Sequence, residues 1–198
     1  MHYPDIHLAL PHWVHELVRD REVRYHSIED RMRFAIRLSD INIQQGTGGP
    51  FGAAVFDTTS GALLAAGVNV VVPSGCSVAH GEMMAMMIGQ KILQHYDLGG
   101  EGKSLYQLVT STEPCAMCLG AVPWSGVRSL VCGARDEDAR AIGFDEGPKI
   151  PTWIEELEKR GIAVTRDVCR DDAVAVLHHY MEKGGLIYNS RLGTPRDK

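Results

Sequence analysis

The stretch FGAAVFDTTSGALLAAGVNVVVP at 51–73 restricts the possible folds more than any other part of the chain. Two apolar, strand-like runs, 53–56 and 63–69, are joined by the turn DTTSG, and a connection that short joins only antiparallel neighbours. Beyond it the character changes. Strand-like segments YQLVTS, VRSLVCGA and IAVTRDV alternate with helix-like segments at 79–95 and 115–124, and with DEDARAI, PTWIEELEKRG and DDAVAVLHHYMEKGG. Alternation of this kind builds a layered α/β domain, and a hairpin at its head makes the sheet mixed. The expected fold is a three-layer α/β/α sandwich around a mixed sheet of about five strands.

Ahead of the hairpin, Ser27 followed by Asp30 forms a variant capping box for a helix over IEDRMRFAIRLSDINIQQ. Met32, Ala35, Ile36, Ser39 and Ile43 make its inward stripe, and Gly46 stops it. GTGGPFG and the stretch around VPSGCS read as loops. At 198 residues the chain has the length of one well-packed domain, with no repeat and no compositional break. The division expected is an N-terminal extension over 1–27, a catalytic domain over 28–183 and a C-terminal tail over 184–198.

Composition excludes several classes of function. There is no apolar run long enough to span a membrane, and MHYPDIHLALPHWVHELVRD does not read as a secretory signal. Five cysteines, an odd number, fit a reducing, cytoplasmic compartment better than a disulfide framework. Net charge is −5, with 20 basic against 25 acidic residues and no basic cluster, which disfavours nucleic acid as a partner and suits a small neutral molecule.

The chemistry gathers around TEPCAMCLGA at 112–121. Cys115 and Cys118 alone fit a redox pair, half of a metal site or plain packing. VAHGEMMAM at 78–86 adds His80 and Glu82, and His-x-Glu followed by Pro-Cys-x-x-Cys is the signature of zinc deaminases. Cysteines three apart on the first turn of a helix share a face, and the helix's positive end favours their thiolates. Pro114 suits a helix start. His80, Cys115 and Cys118 give three ligands for Zn2+ and leave a position open, as catalytic zinc sites do, while Glu82 is free to carry protons. Cys132 and Cys169 read as buried small hydrophobes, and Met83, Met84, Met86 and Met87 as core filler. The pair His12 and His15 reads as solvated or packed, and His178 and His179 as surface positions.

With these motifs, the chain from about Asp30 to its tail resembles the cytidine deaminase-like superfamily, and within it the guanine deaminase branch. GGPFGAAVFD, AAGVNVVVP, GFDEGP and GLIYNSR carry the narrower likeness. The resemblance implies hydrolytic deamination of guanine to xanthine and ammonia in purine catabolism, by a homodimer whose tail closes over an active site, its own or the partner's. It implies Glu146 as a second catalytic acid beside Glu82. It also implies Phe51, Asn69, Gly81, Trp124, Phe144 and Tyr188 as substrate-binding residues. The family's usual alanine between the histidine and the glutamate is Gly81 here, which implies a looser loop. Without the likeness, Asn69 reads equally as a capping residue, Trp124 and Phe144 as core, and Glu146 as a solvated acid. Three rivals stay open: a tRNA adenosine deaminase, a deaminase of cytosine, a nucleoside or an aminated triazine such as ammeline, and a zinc-stabilised interaction domain.

Overall fold

The computed structural model describes residues 2–99 and 105–189. Its centre is a five-stranded sheet in the order β2-β1-β3-β4-β5. The hairpin expected at its head is β1 (Gly52–Asp57) and β2 (Leu63–Val68), paired antiparallel with a register shift at Val55/Phe56. Asp57 closes the turn, its carboxylate accepting from the Thr59 N–H at 2.8 Å. β1 also pairs antiparallel with β3 (Tyr106–Thr112), which pairs parallel with β4 (Ser129–Ala134), itself parallel to β5 (Ala163–Thr165). The sheet is therefore mixed. β5 is shorter than IAVTRDV suggests, because Asp167 turns to φ 63° and its carboxylate pairs with Arg135 at 2.7 Å.

Strand alternation sorts the core into two layers. Ala54, Phe56, Val109 and Val131 point to one face, under α2 (Ile28–Gln44) and α8 (Arg170–Glu182). Ala53, Val55, Leu108 and Leu130 point to the other, under α4 (Gly81–Leu93), α5 (Ala116–Ser125) and α7 (Trp153–Glu158). The layering is the α/β/α sandwich the sequence implies. Ser27 caps α2 as expected, accepting from the Asp30 N–H at 3.0 Å, and the whole inward stripe of that helix is buried. Gly46 stops it at φ 63°.

Three short helices complete the described residues. α3 (Val71–Ser74) lies in a stretch expected to be loop. α6 (Asp136–Ala141) follows β4 where DEDARAI predicts a helical turn. α1 (His12–Leu17) lies in the N-terminal extension and is docked, with Val14 buried and Leu8, Leu10, Trp13 and Leu17 packed on the α2–α8 layer. No helix among the described residues is long and apolar enough to cross a membrane.

Candidate metal centre and its cavity

Two helix N-termini meet at the site. His80 is the N-cap residue of α4 and Cys115 that of α5, both with extended backbone. α4 is shorter than 79–95 at both ends, because His80 is held extended at ψ 159° and Gln94 turns left-handed at φ 53°. The nitrogen and sulfur donors of His80, Cys115 and Cys118 all lie within 4.8 Å of one another, the one such cluster among the described residues. His80 Nδ1 stands 3.5 Å from the Cys115 sulfur, and the Cys118 thiol donates to Glu82 Oε2 at 3.6 Å. Cys118 is fully buried.

The three donors are electrostatically coupled. The neighbouring Cys118 thiol, with His80 adding to the effect, lowers Cys115 to about 4, and Cys118 is raised in turn by Cys115 and by burial. Burial opposes charge on His80, yet the Cys115 sulfur and the carboxylates of Glu82 and Glu146 outweigh it and raise its pKa. Two sulfurs and one imidazole nitrogen are the donors zinc prefers, and three protein ligands leave a coordination position free. The residues fit zinc.

A cavity of about 500 Å³ opens beside the cluster, a size suited to a small-molecule ligand. Its wall includes His80, Glu82, Cys115, Phe51, Phe144 and Tyr188. Glu146 lines it too. Burial raises the carboxyl of Glu82, and the Cys115 charge raises it further. Burial likewise raises Glu146, to about 8, with Cys115 and Glu82 contributing. Phe144 packs edge-on against Phe51 at 4.9 Å and against Tyr188 at 5.1 Å. The tail as far as Asn189 lies over this same chain's cavity. Asn189 holds it there, its Oδ1 accepting from the Asp145 N–H and its Nδ2 donating to the Gly143 carbonyl, both at 2.8 Å. The rest of the tail, 190–198, falls outside the described residues.

Asn69 is fully buried and joined to the wall, its N–H donating to the Phe51 carbonyl at 2.9 Å. Its Oδ1 accepts from the Val71 N–H at 3.2 Å, while its Nδ2, like the Tyr188 hydroxyl, is buried without a partner. Gly81 corrects the expectation of a loosened loop. It is the first residue of α4, and a Cβ there would come within 3.2 Å of the Phe51 carbonyl oxygen, so close packing holds it. Trp124 is a second correction. Six positions on from Cys118, it points about 240° round the helix from that sulfur. It is 84% exposed on the outer side of α5, lining a separate open depression with Leu119, Pro123, Ile150 and Trp153.

Sequence reasoning missed the support behind Pro114. Glu113, 3% exposed, accepts from Arg166 at 2.5 Å and from the Asp136 N–H at 3.3 Å. Lys149 donates to the Pro114 carbonyl at 3.0 Å and pairs with Asp136 at 2.5 Å. The Ala116 N–H donates to the Glu146 carbonyl at 2.8 Å, tying the Glu146 segment to the start of α5. An acid at the end of the apolar run LVTSTEP was the available signal, since an unpaired buried carboxylate is too costly to keep.

Known proteins agree with this geometry. The chain is 37% identical over 118 residues to a guanine deaminase of Bacillus subtilis (strain 168), covering 60% of this chain and 71% of that protein. It superposes on NE0047 in complex with 2,6-diaminopurine with TM-score 0.86 and 48% identity, over 94% of this chain and 98% of the other. It superposes on the guanine deaminase from Nitrosomonas europaea with TM-score 0.85 and 46% identity, over 92% and 100%. Residues 26–134 match the cytidine and deoxycytidylate deaminase zinc-binding region. A zinc ligand set on two helix starts, a mixed five-stranded sheet and these likenesses agree, and the chain belongs to the cytidine and deoxycytidylate deaminase zinc-binding family.

Proposed function

We propose that this zinc-dependent aminohydrolase converts guanine and water to xanthine and ammonia. The observation that carries the reading is a cavity holding two buried acids beside the three-ligand cluster, in a chain superposing almost end to end on a guanine deaminase. Variants of NE0047 at one asparagine and at one glutamate are known in complex with 8-azaguanine. Those two positions are as far apart in that chain as Asn69 and Glu146 are in this one.

His80, Cys115 and Cys118 hold the zinc, which when bound supplies an activated water and a Lewis acid. Glu82 takes a proton from the attacking water and delivers it to the ring nitrogen beside the amino-bearing carbon, C2 of guanine. Glu146, whose proton burial helps it keep, gives that proton to the departing amine and recovers one from the new C2 hydroxyl as the carbonyl forms. Asn69 has an unpaired amide donor for an acceptor on the base edge, and Phe51, Phe144 and Tyr188 wall the ring. Gly81, at the start of α4, offers a backbone N–H that the helix does not use. A cavity of about 500 Å³ beside Tyr188 and Asn189 is of a size to accommodate a single base. The net charge of −5, without a basic cluster, favours this reading over a tRNA substrate.

The division into an extension (1–27), a deaminase domain (28–183) and a tail (184–198) is retained, with Tyr188 and Asn189 of the tail closing their own chain's cavity. The enzyme acts in purine catabolism in the cytoplasm. It works as a homodimer, in which a second copy covers the exposed Met117, Trp124 and Ile150, and sedimentation tests that assembly.

The direct test is ammonia release by the zinc-loaded protein on guanine, guanosine, cytosine, cytidine, adenine and ammeline. Turnover centred on guanine supports the reading. Activity confined to a pyrimidine or a nucleoside overturns the substrate and leaves the zinc chemistry standing. Glu82→Gln is expected to retain zinc and lose at least about 10²-fold in turnover. Normal turnover in that variant would remove Glu82 from its role.

A further inference from the structure

A chain of hydrogen bonds runs from the N-terminal extension to the wall of the cavity. The Trp13 indole N–H donates to the Thr47 hydroxyl at 3.0 Å, and that hydroxyl donates to Asn42 Oδ1 at 2.8 Å. Asn42 Nδ2 donates to two carbonyls, that of Gly49 at 2.8 Å and that of Asn69 at 2.9 Å. Asn42 is fully buried, and its donors and its acceptor are all engaged. Reversing the amide would set its oxygen against two carbonyl oxygens, so its orientation is fixed. This one side chain fastens together the two segments that carry Phe51 and Asn69, which are further joined by the Asn69 N–H donating to the Phe51 carbonyl at 2.9 Å.

We propose that α1 is a positioning element of the active site, acting through Trp13, Thr47 and Asn42 on the cavity wall that reads the base. The proposal rests on the guanine reading for what that wall contacts. None of the three residues touches the cavity, so none is catalytic. Their contribution is to keep Phe51 and the unpaired Asn69 amide in one place before the base arrives, and pre-ordered contacts improve binding by lowering the cost of ordering. Trp13 can serve this purpose because α1 is anchored independently by Val14, Leu8, Leu10 and Leu17.

The test uses the zinc-loaded full chain carrying Trp13→Phe, Thr47→Val, both together, and Thr47→Ser. Trp13→Phe keeps an aromatic ring and removes the donor, and Thr47→Val keeps the shape and removes the hydroxyl. Amide hydrogen exchange in peptides spanning 47–51 and 69–71 needs no substrate. It is expected to quicken about three- to tenfold in either single variant, the effect of losing one partly buried hydrogen bond. The double variant is expected to match the larger single effect, because both changes cut one chain, and Thr47→Ser is expected to behave as the parent. In turnover, KM for guanine rises about three- to tenfold while kcat and zinc content stay within twofold. Unchanged exchange in both single variants overturns the proposal, as does a double variant equal to the product of the singles, or a fall in kcat with KM unchanged. If the parent does not turn over guanine the substrate reading fails, and the exchange data alone judge the positioning role.

Discussion

Gly46 and Gly48 stand two residues apart, and the same change to alanine is expected to have opposite consequences at each. At Gly48 a Cβ would lie 1.8 Å from the Asn69 carbonyl oxygen and 2.7 Å from Asn42 Nδ2. Carbon and carbonyl oxygen tolerate an approach of about 3.3 Å, so the loop and the Asn69 backbone must separate by roughly 1.5 Å. Overpacking of this kind costs about 1–3 kcal/mol of stability. A displacement near 1 Å in groups that position a substrate costs on the order of 10²-fold in rate. Gly48→Ala is therefore expected to lower kcat/KM for guanine about 10²-fold, some ~2.7 kcal/mol of transition-state binding, with zinc retained. At Gly46 nothing lies within 4 Å of the added carbon, and the strain comes from φ +63° alone. That conformation costs about 1 kcal/mol, a fall of roughly 2–4 °C in Tm, with kcat/KM within twofold of the parent. Steady-state kinetics, thermal melts and zinc analysis on the two variants decide it. Equal activity loss in both, or a Gly48→Ala enzyme within threefold of the parent, would refute the close-approach argument.

Glu146 gives a pH test in the metal-free protein. Its folded pKa of about 8 lies above the ordinary 4.5, so its stabilising contribution is complete below pH 4.5 and is lost as pH rises to about 8. Glu146→Gln should remove on the order of 3–5 kcal/mol of that decline, measured by urea unfolding at pH 5 and pH 8; a variant that tracks the parent at both pH values would contradict it. Lys149→Met leaves Glu113 with Arg166, and Asp136 with Arg140. Because each acid keeps one cation, the loss should be about 2 kcal/mol, less than for a buried pair broken outright, or roughly 4–8 °C in Tm. A fall above 15 °C would mean that Lys149 is the sole effective counter-charge.

What could be read in the sequence was what chemistry and periodicity confine to short spans. Metal binding restricts residue types strictly, so His80, Glu82, Cys115 and Cys118 stood out at fixed short spacings, and the inward stripe and cap of α2 followed from its helical period. Asn42, on that same inward face, could have been noticed as a polar residue where an apolar one was due. Its partners at Gly49 and Asn69 belong to tertiary structure, as do those of Lys149 at Pro114 and Asp136. α1 and α3 are too short, at 6 and 4 residues, to show a period. Trp124 was placed by family likeness, although its helical angle from Cys118 already turned it outward.

Asn189 grips the chain on either side of Phe144, at the Gly143 carbonyl and the Asp145 N–H. That grip also holds the backbone that leads directly into Glu146. The residue covering the cavity and the second buried acid thus hang from one support, so a change at Asn189 is felt at Glu146 as well as at the cavity mouth.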